Sequence, residues 1–194
     1  MPFLTTYLDF AKKPIILPNA VPSTGNVEAT VIQADIEQFE PMYLKKIFGK
    51  EFYDLFIAGL DADTAIYTDI RDGGDYVDIY GITQEWQGFG VGHNPIACYT
   101  YYNILDNNET ITTGVGELKP NIENGVRASN FMKQVVAWNT MVEFNEKLHG
   151  YLYANRESYP TYIGINYYGI STDYFPTYMK EWAELFCRLN KFGF

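Results

Sequence analysis

Any acid–base or metal chemistry in this chain would have to be built from few parts. His93 and His149 are the only histidines. They lie 56 residues apart and outside any H-x-x-x-H or H-E-x-x-H pattern, the spacing that turns two imidazoles toward one metal from a helical face. Each reads as a surface or capping histidine. Cys98 and Cys187 fall in helical patterns with apolar neighbours, where a free thiol behaves as a small hydrophobe, with disulfide or metal roles as the lesser alternatives. No G-x-S-x-G elbow activates a serine. Gly88-Phe-Gly-Val-Gly92-His93-Asn94 precedes a helical pattern but lacks both the G-x-G-x-x-G spacing and the lysine of a phosphate loop, so it reads as a glycine turn. Asp61-Ala-Asp63 and Asp72-Gly-Gly-Asp75 resemble the start of a calcium loop, yet neither continues with oxygen ligands at the required positions. Carboxylate pairs for glycoside hydrolysis depend on separation in space, and nothing in the sequence favours them. No catalytic, cofactor-binding or metal-binding residue is assigned, and the chain reads as a non-enzyme without cofactors.

Charge and composition narrow the partners. At 194 residues the chain is one domain, or a domain with appendages, long enough to bury a core. A net charge of −10 argues against binding a phosphate backbone, which needs clustered Lys and Arg. Between Glu51 and Glu85 nine acids face a single base, Arg71, so most of the charge sits in one solvated or partner-facing loop region. No apolar run reaches the roughly 20 residues that span a bilayer, and the N-terminus lacks a basic, signal-like pattern. Asn108-Glu-Thr110 matches a glycosylation sequon that carries no meaning without secretion. The aromatic load is unusual: 17 Tyr and 13 Phe exceed what a core of this size needs. Tyrosine combines large contact area with a hydroxyl that tolerates water, which points to extended contact surfaces.

The elements that position these residues read as mainly α: a compact helical bundle with an extended N-terminal arm and a small β-hairpin or irregular loop insertions. Residues 34 to 60 organise the rest. Asp35 reads as an N-cap, and Ile36, Phe39, Tyr43 and Ile47 share one helical face that must be buried. Pro41 either kinks that helix or starts another, and Gly49 sits where a left-handed C-cap belongs, after Lys45 and Lys46. A second helix follows from Lys50, with Phe52, Leu55 and Phe56, ending at Gly59 or Asp61.

Residues 1 to 30 hold four prolines among apolar side chains and read as an arm lying on a neighbouring subunit or on its own domain. The remainder, 31 to 194, forms the helical domain, with a loop or hairpin insertion around 61 to 92 in which Ala65 to Ile70 pairs with Tyr76 to Tyr80. Asn94 caps, and Pro95 opens, a helix to about Asp106. Ile111 to Pro120 reads as a loop or short strand. The longest run, from about Val126 to Leu152, puts Phe131, Val135, Trp138 and Val142 on one face and Met141, Phe144 and Leu148 beside it, a width that marks a central helix. Eight tyrosines follow between Tyr151 and Tyr178, in loops suited to stacking sugars, packing an interface or sealing a core edge. A last helix carries Tyr178, Trp182, Leu185, Phe186 and Leu189, capped by Asp173 or Thr177 and ended by Gly193.

Leu44-Lys-Lys-Ile-Phe-Gly49-Lys-Glu51-Phe-Tyr53-Asp-Leu55 resembles the helix–glycine–helix segment near the start of head–tail connector, or neck adaptor, proteins of tailed bacteriophages, in the type found in phages of Bacteroidetes hosts and crAss-like phages. Trp86 with Pro95 to Leu105, then Thr113-Gly114-Val115 before a long helix, occur in the same order. The resemblance covers about half the chain and leaves out the arm and the Tyr-rich stretch. It implies a structural virion protein, assembled in the host cytoplasm, that forms a homo-oligomeric ring, commonly of twelve copies, below the portal. Its neighbours would be portal, tail or neck proteins. DNA would pass nearby without specific binding, and an acidic wall bearing Asp72, Asp75 and Asp78 would repel it. The alternative is an aromatic-rich carbohydrate-binding or other non-catalytic module using Trp86, Trp182 and tyrosine surfaces. An enzyme would need a pocket gathering His149 or His93 with carboxylates.

Overall fold

The computed structural model describes residues 3–17, 27–90, 92, 94–107, 111–113, 116–118, 130–167 and 177–190. His93, the sequon at 108–110, residues 126–129, Tyr168, Asp173, Tyr174 and Gly193 lie outside them. The fold is mainly helical. Six α-helices are described: α1 (Val27–Phe48), α2 (Lys50–Asp61), α3 (Ala65–Asp72), α4 (Pro95–Asn107), α5 (Phe131–Ala154) and α6 (Thr177–Glu184). Three two-stranded antiparallel hairpins accompany them: β1 (Ala11–Lys12) with β2 (Ile15–Ile16), β3 (Gly74–Val77) with β4 (Thr83–Trp86), and β5 (Ile111–Thr113) with β6 (Gly116–Leu118).

The stripe expected on the first helix is buried: Ile36, Phe39, Tyr43 and Ile47 all enter the core. Asp35, however, is no cap, because α1 begins at Val27, inside the stretch assigned to the arm, and Asp35 lies two turns in. The helix also runs through Pro41. The carbonyl that loses its partner belongs to Glu37, an exposed residue one turn earlier. At Gly49, φ is +79° and a Cβ would collide with the Ile163 side chain, so the break between α1 and α2 needs glycine for both its dihedral and its space. Phe48, Phe52 and Phe56 then stack across the corner, with centroids 5.1 Å and 5.0 Å from Phe48.

Helix α4 starts as its sequence predicts, with the Asn94 Oδ1 accepting the Ile96 amide at 3.0 Å. It is buried on nearly every side and lies between α1 and α5. Helix α5 contacts α4, β3 and β4, so the widest apolar pattern did mark a central helix. Asn145, buried in the middle of α5, accepts from the Tyr43 hydroxyl and donates to the Leu185 carbonyl at 2.8 Å, tying α1, α5 and the residues after α6 together.

Two expectations are corrected, and one left open is resolved. Residues 65–72 are helix rather than strand, and β3 pairs with 83–86 instead. The segment 65–72 carries its apolar residues Ile66, Tyr67 and Ile70 at helical spacing, with Ile70 buried, and Gly73 and Gly74 open the hairpin after it. Of the two placements open to the N-terminal segment, residues 3–17 take the one on their own domain. A 3-10 turn (Tyr7–Phe10) leads into β1 and β2, burying Phe10 and Ile15. Glu40 of α1 clamps this segment, its two oxygens accepting the Leu4 and Thr5 amides at 2.9 Å each. Burial pushes that carboxyl above its ordinary range, although both amides pull it down. Among the described residues, the tyrosines point inward more than outward. Tyr43, Tyr99, Tyr101, Tyr151, Tyr159 and Tyr162 are core residues, while Tyr80 and Tyr178 are largely exposed.

Candidate functional site

Hairpin β3–β4 leaves the domain where two glycines meet. Gly73 (φ +89°) and Gly88 (φ +73°) bring the two backbone strands closer than any Cβ allows. Above that base the Trp86 indole nitrogen donates to the Ile70 carbonyl at 2.7 Å and the ring packs edge-on against Phe89 at 5.3 Å. Trp86 is therefore a buried pin, not a surface platform. Alternation then sorts the strand: Tyr76 turns toward α5, its ring edge-on to Tyr151 at 6.1 Å and its hydroxyl against Gly150. Gly150, a weak point for helix propensity, is what admits that tyrosine.

At the far end the hairpin turn is tightly specified. Asp78 Oδ1 accepts the amides of Tyr80 and Ile82, at 2.9 Å each, and Gly81 (φ +79°) donates to the Asp78 carbonyl. The Ile82 amide is the largest cause holding the Asp78 carboxyl below its usual range. Four apolar side chains are presented on this turn: Val77 is 58% exposed, Ile79 69%, Tyr80 81% and Ile82 56%. Cross-strand partners Asp75 and Glu85 stand directly opposite each other on the outer face, both exposed.

Between the hairpin, α5 and α6 lies a cleft of about 520 Å³. Its aromatic walls are Tyr76, Tyr153, Trp182 and Phe186, and its polar edge holds Asp78, Gln84, Glu146, His149 and Arg156. Here His149 lines the same cleft as Asp78 and Glu146, but its contacts are aromatic, and it is neither a surface nor a capping residue. Its ring sits 5.4 Å from Trp182, 5.7 Å from Phe186, 5.8 Å from Tyr162 and 5.9 Å from Tyr153, with Nδ1 3.1 Å from the Tyr162 hydroxyl. Burial lowers its pKa to about 4, so at neutral pH the imidazole is uncharged and a weak base. Glu146 is engaged by Arg188 at 3.1 Å, and Arg156 lies over the Tyr153 ring at 5.2 Å. The cleft offers stacking faces and hydrogen-bonding groups at its edge.

The sign of the His149 shift gives a pH test. The folded chain binds fewer protons than the unfolded chain between about pH 4 and pH 6.5, so stability is full above that window and falls as pH drops through it. Against His149→Gln, which keeps a polar group beside Tyr162 without titrating, the wild type is expected to lose about 2 kcal/mol between pH 7 and pH 4.5, measured by urea unfolding.

The remaining candidates do not gather. Cys98 is buried in α4, its thiol pushed up to about 12 by burial, which makes it inert. Cys187 is exposed beyond the end of α6, unlike the buried hydrophobe expected. Among the described residues no group of three or more His, Cys, Asp or Glu is placed to hold a metal ion, and no helix is long and apolar enough to cross a membrane. The exposed tip was legible in principle, since Val77-Asp-Ile-Tyr-Gly-Ile82 puts apolar residues on both faces of a two-stranded turn, and one layer of core cannot cover both. Comparison with known proteins finds no matching family model, no matching curated protein and no matching solved structure.

Proposed function

We propose that this chain is a structural virion protein, a head–tail connector subunit that forms an oligomeric ring beside the portal of a tailed phage. The observation that carries it is the hairpin tip. Val77, Ile79, Tyr80 and Ile82 are held outward by an ordered turn, and a side chain set out in this way loses its contribution to the core without gaining one elsewhere unless a partner covers it. The resemblance of Leu44 to Leu55 to connector segments supports the same function, as does a helix–glycine–helix corner built around Gly49. The subunit works by association, without catalysis, and its ring joins portal to tail or neck proteins in the virion.

The acidic wall expected to face DNA is smaller than the sequence implied. Asp72 is paired with Arg71 at 2.7 Å and Asp78 is used by the turn, which leaves Asp75 with Glu85 as the outward charge of the hairpin. Native mass spectrometry of the full chain tests the assembly. A ring-sized mass is the expected result, and a strict monomer at the highest attainable concentration would overturn it.

A second function draws on the cleft. Its Tyr76, Tyr153 and Phe186 walls, with Trp182 buried behind them and Asp78, Gln84 and Arg156 at the edge, are the lining a saccharide ring uses for stacking and hydroxyl contacts. Glycan-array binding lost in Tyr153→Ala would favour a carbohydrate-binding module, and an array without signal would dismiss it.

A further inference from the structure

The apolar residues of the hairpin tip divide into two pairs. Val77 and Ile79 line the cleft of their own chain, whereas Tyr80 and Ile82 do not. All four are more than half exposed, so the first pair forms an unfinished rim and the second an uncovered knob. The knob is neutral, because residues 79–84 read Ile-Tyr-Gly-Ile-Thr-Gln without a charge. Its shape is fixed by the bonds from Asp78 to the Tyr80 and Ile82 amides, which involve neither apolar side chain. The cleft is a hollow of matching chemistry. At about 520 Å³ it has the size of a preformed binding pocket, with Tyr76, Tyr153 and Phe186 as aromatic surface and Gln84 at its edge. A tyrosine suits such a hollow, since its ring packs on the walls while its hydroxyl stays at the wet, polar edge. The acids on that edge do not oppose an uncharged knob, and both are engaged: Glu146 by Arg188, Asp78 by the turn.

We propose that neighbouring copies meet head to tail by knob and hollow, Tyr80 and Ile82 of one copy entering the cleft between β3–β4, α5 and α6 of the next. This rests on the chain being an assembly subunit and names the partner surface. Shape and apolar character select the seat, and charge takes no part in it. Inside the cleft the knob also covers Val77 and Ile79 of the receiving copy, so a single contact accounts for all four exposed tip residues, two from each side. Because the knob does not line the hollow of its own copy, a copy whose cleft is filled still presents Tyr80 and Ile82 to another. Two different, complementary patches make a heterologous contact, which propagates into a closed ring or an open helix rather than stopping at a two-fold dimer.

The test uses two variants of the whole chain. Tyr80→Ser with Ile82→Ser removes the knob, and Ala154→Trp fills the hollow from an exposed position on its lining. All three side chains are exposed, so both variants should melt as the wild type does. In native mass spectrometry each variant alone is expected to be monomeric. Mixed in equal amounts, they should form one-to-one dimers, because the intact knob of the filled variant still enters the open hollow of the knobless one. Variants that still form the wild-type ring would overturn this contact while leaving assembly standing. Monomeric variants that give no dimer on mixing would overturn the pairing of these two surfaces. A wild type that stops at a dimer would overturn the head-to-tail order. Glycan-array binding that Ala154→Trp abolishes while the ring persists would give the cleft to a saccharide instead. A wild type that is itself monomeric would remove the assembly function and this contact with it.

Discussion

Asn145→Ala should cost this protein about 4 kcal/mol, one of the largest effects of any single side-chain truncation in the fold. Asn145 is fully buried on α5, and its amide answers two groups that have no access to water: the Tyr43 hydroxyl of α1 and the Leu185 carbonyl beyond α6. Alanine strands both, at about 1–3 kcal/mol each, and leaves a small cavity besides. For a chain of this length that loss lowers the melting temperature by on the order of 10 °C. Burial also raises the Tyr43 pKa well above its usual value, so the hydroxyl remains a donor across the ordinary pH range and the penalty should not depend on pH. Urea unfolding of Tyr43→Phe, Asn145→Ala and the double variant gives the coupling, expected to exceed about 1 kcal/mol. A cost for Asn145→Ala below about 1 kcal/mol would mean that the pair does not join the helices as described.

Gly73→Ala is expected to be as damaging, for a reason rooted in backbone rather than side chains. A Cβ at Gly73 would collide with the Trp86 carbonyl oxygen and come within 2.6 Å of the Gly88 nitrogen. At Gly88 a Cβ would collide with the Arg71 carbonyl oxygen. Neither neighbour is a flexible side-chain end that can swing away. Gly81 provides the comparison, since its φ of +79° is also positive but nothing lies within 4 Å of the added atom, whereas Gly73 adds a ψ of 175°, a region nearly reserved for glycine, to the collision. Gly81→Ala should therefore cost only the dihedral strain, about 1 kcal/mol, and Gly73→Ala about 4 kcal/mol. Hydrogen exchange should show the difference in kind: faster exchange at the β3 and β4 amides in Gly73→Ala, with α1 and α4 still protected. Equal costs at 73 and 81 would show that the hairpin base is looser than its geometry implies. Because the tip depends on this base for its presentation, the proposed assembly predicts weaker association for Gly73→Ala in native mass spectrometry.

The local elements were legible because each is written in its own residues. A period of 3.6 along Ile36, Phe39, Tyr43 and Ile47 orients a helix about its axis without reference to any neighbour, and all four are buried. Asn94 followed by Pro95 opens α4, and Gly49 breaks α1 from α2, for stereochemical reasons confined to two or three residues.

What tertiary structure alone decided is which faces meet. Tyrosine is amphipathic, so its abundance carries no direction, and packing turned six of the tyrosines inward. Nothing near Glu40 in sequence announces that its partners are the amides of residues 4 and 5, nor that Asn145 will reach Tyr43 across 102 positions. Those are non-local bonds, made because buried polar groups must be satisfied wherever the fold places them. By itself, then, the sequence determined the buried stripe of α1, the break at Gly49, the start of α4 and the central place of α5, while the helix at Ala65–Asp72, the start of α1 at Val27 and the end of α6 at Glu184 were not read from it. The N-terminal clamp, the His149 cleft and the outward hairpin tip came from the tertiary structure, because contact energies between distant segments leave no periodic trace along the chain.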